Sequence, residues 1–366
     1  MDVDPYLRLM VDKGASDLFL SVGAPPYLKV EGRMRAVGST SLNAAAVEAF
    51  ANALMDDMQA AEFERAWEMN LAVSRPQIGR FRVNIFRQRA EVAIVIRNVK
   101  TELPRIEHLG LPPLLRDLVM RPRGLIVVAG ATGSGKSTTL AAMIDHRNES
   151  SSGHILTIED PVEFLHKHKR SLINQREVGF DTHSYHSALR NAMREAPDVI
   201  MIGEILDRET MEAALSFAET GHLCLTTLHA NNADQTIDRI LSFFPESTKN
   251  TTLMNLSMNM VAIVSQRLTV GVDGRRVPAV EVLINTPLTR DIIRHGRLNE
   301  LKDAMERSLE NGMQSFDQAL YRLYQERRIS QEEALAHADS REGLALRMRL
   351  AEGSALGSET AEEAMY

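Results

Sequence analysis

One cysteine, Cys224, stands among 366 residues. A lone thiol excludes an intramolecular disulfide framework and any multi-cysteine zinc site. Basic residues are outnumbered, 42 Lys and Arg against 49 Asp and Glu, for a net charge of −7. A dedicated nucleic-acid binder needs a basic surplus to neutralise phosphates, so no nucleic-acid partner is expected, although a local basic patch is compatible with the total. No stretch approaches the roughly 18–20 uninterrupted apolar residues that cross a bilayer. The opening Met1-Asp2-Val3-Asp4-Pro5 lacks the basic and apolar regions of a secretory signal. These absences together predict a cytoplasmic protein. No internal repeat is detectable. What is present, 44% hydrophobic and 25% charged residues, is the composition of a globular chain. Its length exceeds one ordinary domain of about 100–200 residues, so two domains are expected.

The first hundred residues interleave strand and helix signals. An amphipathic pattern over 6–14 precedes an alternating strand at 16–22, a hairpin over 27–37 turning at Glu31-Gly32, two helices within 42–67, and paired strands at 80–86 and 92–96. This predicts an α+β domain over 1–99 and a linker over 100–104. The character then changes. Gly124–Ala129 is an apolar run without alternation, as a strand buried on both faces requires, and similar runs recur at His154–Ile158, Val199–Ile202 and Leu223–Leu228. Helical stretches lie between them, which predicts a mostly parallel sheet covered on both sides over 105–287. Residues 288–339 read as mostly helical. The small, polar and acidic 340–366 reads as a flexible tail.

Gly130-Ala131-Thr132-Gly133-Ser134-Gly135-Lys136-Ser137 satisfies the G-x-x-x-x-G-K-[ST] pattern in full. Glycines let the main chain curl until several N–H groups face phosphate, and the helix beginning near Lys136 adds its positive end. Lys136 supplies a charge to the β- and γ-phosphates, the Ser137 hydroxyl can hold Mg²⁺, and Thr138 lies beside it. A chance match in a Gly/Ser turn is the alternative. The apolar strand before the loop and the helix after it argue against chance.

Nucleoside triphosphate hydrolysis also needs a carboxylate near Mg²⁺ and a group that orients water. Glu159, Asp160 and Glu163 follow one buried-strand pattern, which Pro161 stops. Glu204 stands at the tip of another, Val199–Ile202, after a Gly203 that lets the backbone pass close to a neighbouring group. Strand ends are where open parallel sheets bind ligands. A solvated carboxylate in a loop is the plain alternative for each cluster.

These residues resemble the secretion ATPase superfamily, and most closely its pilus retraction branch, the PilT/PilU family. The motifs are the phosphate loop; Ile158-Glu159-Asp160-Pro161-Val162-Glu163-Phe164; the strand ending Gly203-Glu204; and Ala218-Glu219-Thr220-Gly221-His222-Leu223 through Thr227-Leu228-His229-Ala230-Asn231-Asn232. Arg121-Pro122-Arg123-Gly124 and residues 311–320 also look family-like, and the likeness runs from about Leu7 to Asp339. Cys224 and Ala230-Asn231-Asn232 look more like the PilU side than the PilT side.

The resemblance implies a PAS-like N-terminal domain followed by a RecA-like P-loop ATPase core with a helical C-terminal region. It implies ATP with Mg²⁺, Lys136 on phosphate, Ser137 and Glu204 at the metal, Glu163 as the base that orients water, and His222 and His229 as sensors at a subunit boundary. It also implies that arginines of the N-terminal domain reach the γ-phosphate. Of Arg80, Arg82, Arg87, Arg89 and Arg97, the choice is Arg80, Arg82 and Arg97, a forked permanent charge suiting phosphate. A solvated strand face is the alternative for some of them, and a buried structural histidine for His222 or His229. A metal role for the histidine pair lacks a convincing ligand set. The implied partners are further copies in a hexameric ring, a PilT-like paralogue and a PilC-like platform protein at the cytoplasmic face of the inner membrane.

Two departures from the family stand out. Leu206 occupies a position where these motors usually carry arginine, and Leu288 and Thr289 depart from the PilT retraction motif that Arg290, Ile293 and Arg294 match. The second departure implies partner contacts that differ from those of PilT. Leu206 and the PilU-like details support a second reading, an accessory ring that binds ATP, docks on a PilT hexamer and hydrolyses little, which the intact Lys136, Glu163 and Glu204 oppose. A pilus-extension or type II secretion motor is disfavoured, because those usually carry a tetracysteine zinc module and a longer N-terminal region.

Overall fold

The computed structural model describes residues 2–30, 32–99, 103–308 and 312–351. Glu31 of the expected hairpin turn, most of the expected linker (100–102), Asn311 of the family-like stretch and the end of the tail (352–366) lie outside the described residues. The chain divides into two compact units, 1–102 with 162–165, and 103–161 with 166–366.

In the first unit, α1 (Asp4–Asp12) leads into β1 (Asp17–Ser21), β2 (Tyr27–Val30) and β3 (Arg33–Ala36). Next come α2 (Ala44–Leu54), α3 (Asp57–Ala66), β4 (Glu68–Arg75), β5 (Gly79–Gln88) and β6 (Glu91–Val99). The two helices within 42–67 are separated by their caps. Asn43 accepts the Ala46 N–H, and Asp56 forms a reciprocal capping box with Gln59. The described strands make an antiparallel six-stranded sheet in the order β3-β2-β1-β6-β5-β4. Alternation along β5 buries Phe81, Val83 and Ile85 and turns Arg80, Arg82 and Asn84 to the other face.

The second unit begins with α4 (Leu114–Val119), β7 (Gly124–Ala129), α5 (Lys136–Ser150), β8 (Gly153–Glu159), β9 (Ser171–Glu177), α6 (Tyr185–Ala192) and β10 (Val199–Ile202). It continues with α7 (Arg208–Glu219), β11 (Leu223–Leu228), α8 (Ala233–Ser242), α9 (Lys249–Asn259), β12 (Met260–Val270) and β13 (Arg276–Ile284). The helices α10 (Pro287–Arg294), α11 (Leu301–Arg307), α12 (Phe316–Gln325) and α13 (Gln331–Ala336) follow. Its sheet runs β13-β12-β7-β11-β10-β8-β9, parallel throughout except for the β12–β13 pair.

The apolar runs lack alternation because both faces are covered. Leu125 and Val127 of β7 pack with α7 and α9 residues on one side, and Ile126 and Val128 pack with α4 and α5 residues on the other. Each such fully buried side chain is worth ~1.5–3 kcal/mol over leaving it in water. The expectation of a flexible tail from residue 340 fails for 341–351. That stretch is helical, and Leu344 and Met348 are buried with Phe316, Leu320 and Leu323. Among the described residues no helix is long and apolar enough to cross a membrane.

Candidate functional site

β7 delivers the chain at Ala129, and residues 130–135 turn it into α5. The turn is fastened to the sheet by the Gly130 N–H, which donates to the Leu228 carbonyl at the end of β11 (3.3 Å). Geometry demands glycine at two places. A Cβ on Gly130 would lie 2.3 Å from Ser134 Oγ and 2.6 Å from the Gln266 carbonyl oxygen. Gly135 caps α5 at φ +92°, a conformation strained for any side chain. Ala131, Thr132 and Gly133 are exposed and Ser134 is buried. Lys136, also buried, folds back so that Nζ donates to the Gly130 and Ala131 carbonyls (2.9 and 3.0 Å). Ser137 and Thr138 open the first turn of a 15-residue helix whose positive end faces the loop. This is a cradle that a Cβ would fill, with a cation at its edge, and it fits a polyphosphate.

Two acids end neighbouring strands. Glu159 is buried at the end of β8, where Oε1 accepts the Thr157 hydroxyl (2.6 Å) and the Gln175 amide (3.1 Å). Glu204 follows β10 and is half-buried, its Oε1 2.6 Å from His229 Nε2 at the end of β11. The intervening turn is stitched to β11: Thr227 Oγ1 donates to the Gly203 carbonyl (2.7 Å) and the Ile205 N–H to the Thr227 carbonyl (3.1 Å). Hydroxyl and carboxylate oxygens such as those of Ser137 and Glu204 suit Mg²⁺, which takes one or two protein ligands and otherwise phosphate and water. Glu163 is exposed and lies in 162–165, the segment that groups with the first unit.

The structure separates the two histidines. His229 is at the loop end of β11, whereas His222 is at the opposite end, seven residues or roughly 23 Å away along an extended strand. There His222 Nδ1 lies 3.2 Å from both the Phe217 carbonyl and Thr220 Oγ1, and its ring meets Phe217 edge-on. Among the arginines, Arg97 Nε donates to the buried Asp17 carboxylate (2.8 Å), and Arg87 grips Glu64 with two bonds of 2.8 and 2.9 Å. Arg80 and Arg82 share one face of β5. Leu206 is 60% exposed. In α10, Thr289 is buried and forms a capping box with Thr286, while Leu288, Arg290 and Arg294 are exposed.

Tyr185 and Glu281 are among the groups that escaped the sequence reading. Gly203 makes room for Tyr185: a Cβ there would lie 3.0 Å from the phenol oxygen and 3.3 Å from Glu159 Cα. Burial first, and then the charges of Asp160, Glu159 and Glu204, hold the Tyr185 hydroxyl in its protonated form. Glu281 on β13 is the second. Its carboxylate accepts the Ala233 N–H at the start of α8 (2.7 Å). No local pattern announces either contact, because each joins elements far apart in sequence.

Burial raises the Glu281 pKa from its ordinary 4.5 to about 7; Asp339 adds to the rise, and the Ala233 N–H, Ser265 and Arg267 oppose it. The folded chain therefore holds this proton more tightly than the unfolded chain. The stability it confers is full below about pH 4.5 and is lost as pH rises to about 7, a decline of ~3 kcal/mol. Glu281→Gln should remove that slope. In thermal melts the variant's Tm should gain on the parent between pH 5 and 7; parallel curves would refute the assignment.

A complete phosphate loop between a strand of a parallel sheet and the helix that follows, with a histidine at the end of the adjacent strand β11 paired to a carboxylate after the next strand, β10, defines a P-loop nucleotide-binding site. The chain belongs to the Type II/IV secretion system protein family, whose model matches residues 2–340. It is 51% identical to the type IV pilus ATPase PilU of Pseudomonas aeruginosa over 96% of this chain and 92% of that protein. It is 41% identical to the retraction ATPase PilT of the same organism, over 91% of this chain and 97% of that one. A crystal structure of the pilus retraction motor PilT with bound ADP superposes with a TM-score of 0.86 at 39% identity, covering 93% of this chain and 98% of that chain.

Proposed function

We propose that the chain is an ATP-hydrolysing motor of the type IV pilus machinery, driving or assisting pilus retraction and twitching motility. The observation that carries this reading is the glycine cradle at the end of β7 with Lys136 at its edge, in a chain similar to PilU and PilT along nearly its whole length. Residues 1–99 are read as a PAS-like domain, 105–287 as a RecA-like core and 288–339 as its helical C-terminal region. The working form is read as a hexameric ring at the cytoplasmic face of the inner membrane. There it acts with a PilT-like paralogue on a PilC-like platform protein.

In the proposed cycle the loop amides and the start of α5 hold the triphosphate. Lys136 exchanges the Gly130 and Ala131 carbonyls for phosphate oxygens. Ser137 and Glu204 would hold Mg²⁺, which supplies charge neutralisation at the reacting phosphate. His229 keeps the Glu204 carboxylate in place. Glu163 orients a water and takes its proton as the new P–O bond forms and the bond to ADP breaks. Arg80 and Arg82 remain the proposed γ-phosphate contacts to a nucleotide held by another copy. Arg97 is proposed with them, although Asp17 already engages its Nε. His222, at the far end of β11, is proposed to report nucleotide state to a subunit boundary. Loss of the γ-phosphate contacts would then release a rigid-body switch of the domains.

Leu206 favours the second reading, an accessory ring that binds ATP and turns over little. Steady-state hydrolysis by the purified chain, with and without its paralogue, separates the two. The motor reading expects Mg²⁺-dependent turnover by the chain alone. Binding of ATP without turnover in every ring preparation would favour the accessory ring.

A further inference from the structure

Gln266 of β12 lies outside every motif discussed above, yet it meets the phosphate loop at two points and the helix after it at a third. It is 4% exposed. β12 runs parallel to β7 with Ser265 opposite Ala129, which sets Gln266 beside the first residue of the loop. Its carbonyl oxygen is the atom that a Cβ on Gly130 would strike at 2.6 Å. Its side-chain Nε2 is the atom that a Cβ on Gly135 would meet at 2.8 Å. Its Oε1 accepts the hydroxyl of Thr139, one turn into α5, at 2.7 Å. One residue thus touches the first glycine of the loop, its last glycine and the helix that follows.

We infer that Gln266 is a positioning residue for triphosphate binding, which holds the loop from the sheet side so that its amides stay aimed at phosphate. The inference rests on the ATP site proposed above. The physical reason is that a glycine-rich loop carries a large conformational entropy, which a ligand must freeze out unless the protein has already done so. The carboxamide links Thr139 to the loop and removes that freedom, its orientation fixed by the bond it accepts. Lys136 and the amides touch phosphate; Gln266 acts through them.

The test uses the full-length chain and two variants. Gln266→Leu keeps the bulk and removes the hydrogen bond. Gln266→Glu keeps the acceptor for Thr139 but sets an anionic oxygen beside Gly135. Gln266→Leu should weaken ATP affinity by about tenfold and raise KM in step, with kcat changed much less. Gln266→Glu should weaken binding further, and because the site is buried added salt should relieve little of its deficit. A merely structural role would lower the melting temperature without moving the affinity of the folded fraction. Thr139→Val reaches the same bond from its other end and keeps the test decisive if Gln266→Leu does not fold. Combining Thr139→Val with Gln266→Leu should then weaken binding no more than either change alone. ATP bound equally by the unmodified chain and by folded Gln266 variants would overturn this inference alone. No ATP binding by the unmodified chain would overturn the reading of the site and the inference with it.

Discussion

Glu204→Gln is expected to lower kcat for ATP hydrolysis by about 10²–10⁴-fold while ATP still binds, in line with the several kcal/mol of transition-state charge stabilisation that a well-held metal ion supplies. The reasons are geometric. Glu204 stands on a turn held to β11 by two hydrogen bonds, and its carboxylate faces His229 Nε2 at 2.6 Å. The amide keeps the shape and the turn but loses the charge that a metal ligand or an ion pair with His229 requires. Steady-state kinetics beside equilibrium binding of a fluorescent ATP analogue would check it. Unchanged kcat would remove Glu204 from the chemistry.

Lys136→Ala is the second large effect, and it strikes binding rather than turnover. The ammonium makes bonds of 2.9 and 3.0 Å to two loop carbonyls, and it is the charge that the triphosphate would claim. Two charge-assisted hydrogen bonds at ~1.5–3 kcal/mol each correspond to roughly 10²–10⁴-fold in affinity. The fold should survive, since α5 keeps its remaining turns and the β7 core is untouched. Calorimetric titration with ATP, beside a melting curve, separates the two effects. Tight ATP binding by a well-folded variant would show that phosphate is held elsewhere.

How much of this was legible in the sequence differs by element. The doubly covered strands β7, β8, β10 and β11 were readable because burial on both faces leaves an unbroken apolar run. The phosphate loop was readable because its glycines answer local demands, such as the φ of Gly135. The resemblance to a known family supplied the roles of Glu163, His222 and His229, and there the structure adds distinctions. One strand carries the two histidines at opposite ends, and Glu163 sits with the first unit. Tyr185, Gln266 and Glu281 were illegible. Each reaches a partner on another element distant in sequence, and neither composition nor periodicity encodes such a contact. The helix at 341–351 was misread for a related reason: Leu344 and Met348 bury against Phe316, Leu320 and Leu323, and Arg347 lies over the Tyr321 ring (4.4 Å), contacts with residues distant in sequence.

β12 faces two ways. While Gln266 is wedged against the loop, its neighbour Arg267 donates to the His337 carbonyl (2.7 Å), pairs with Asp339 (2.6 Å) and lies over the Phe316 ring (3.8 Å). Consecutive strand residues share a peptide plane and point to opposite faces. The phosphate loop and the carboxy-terminal helices are therefore moored to adjacent residues of a single strand.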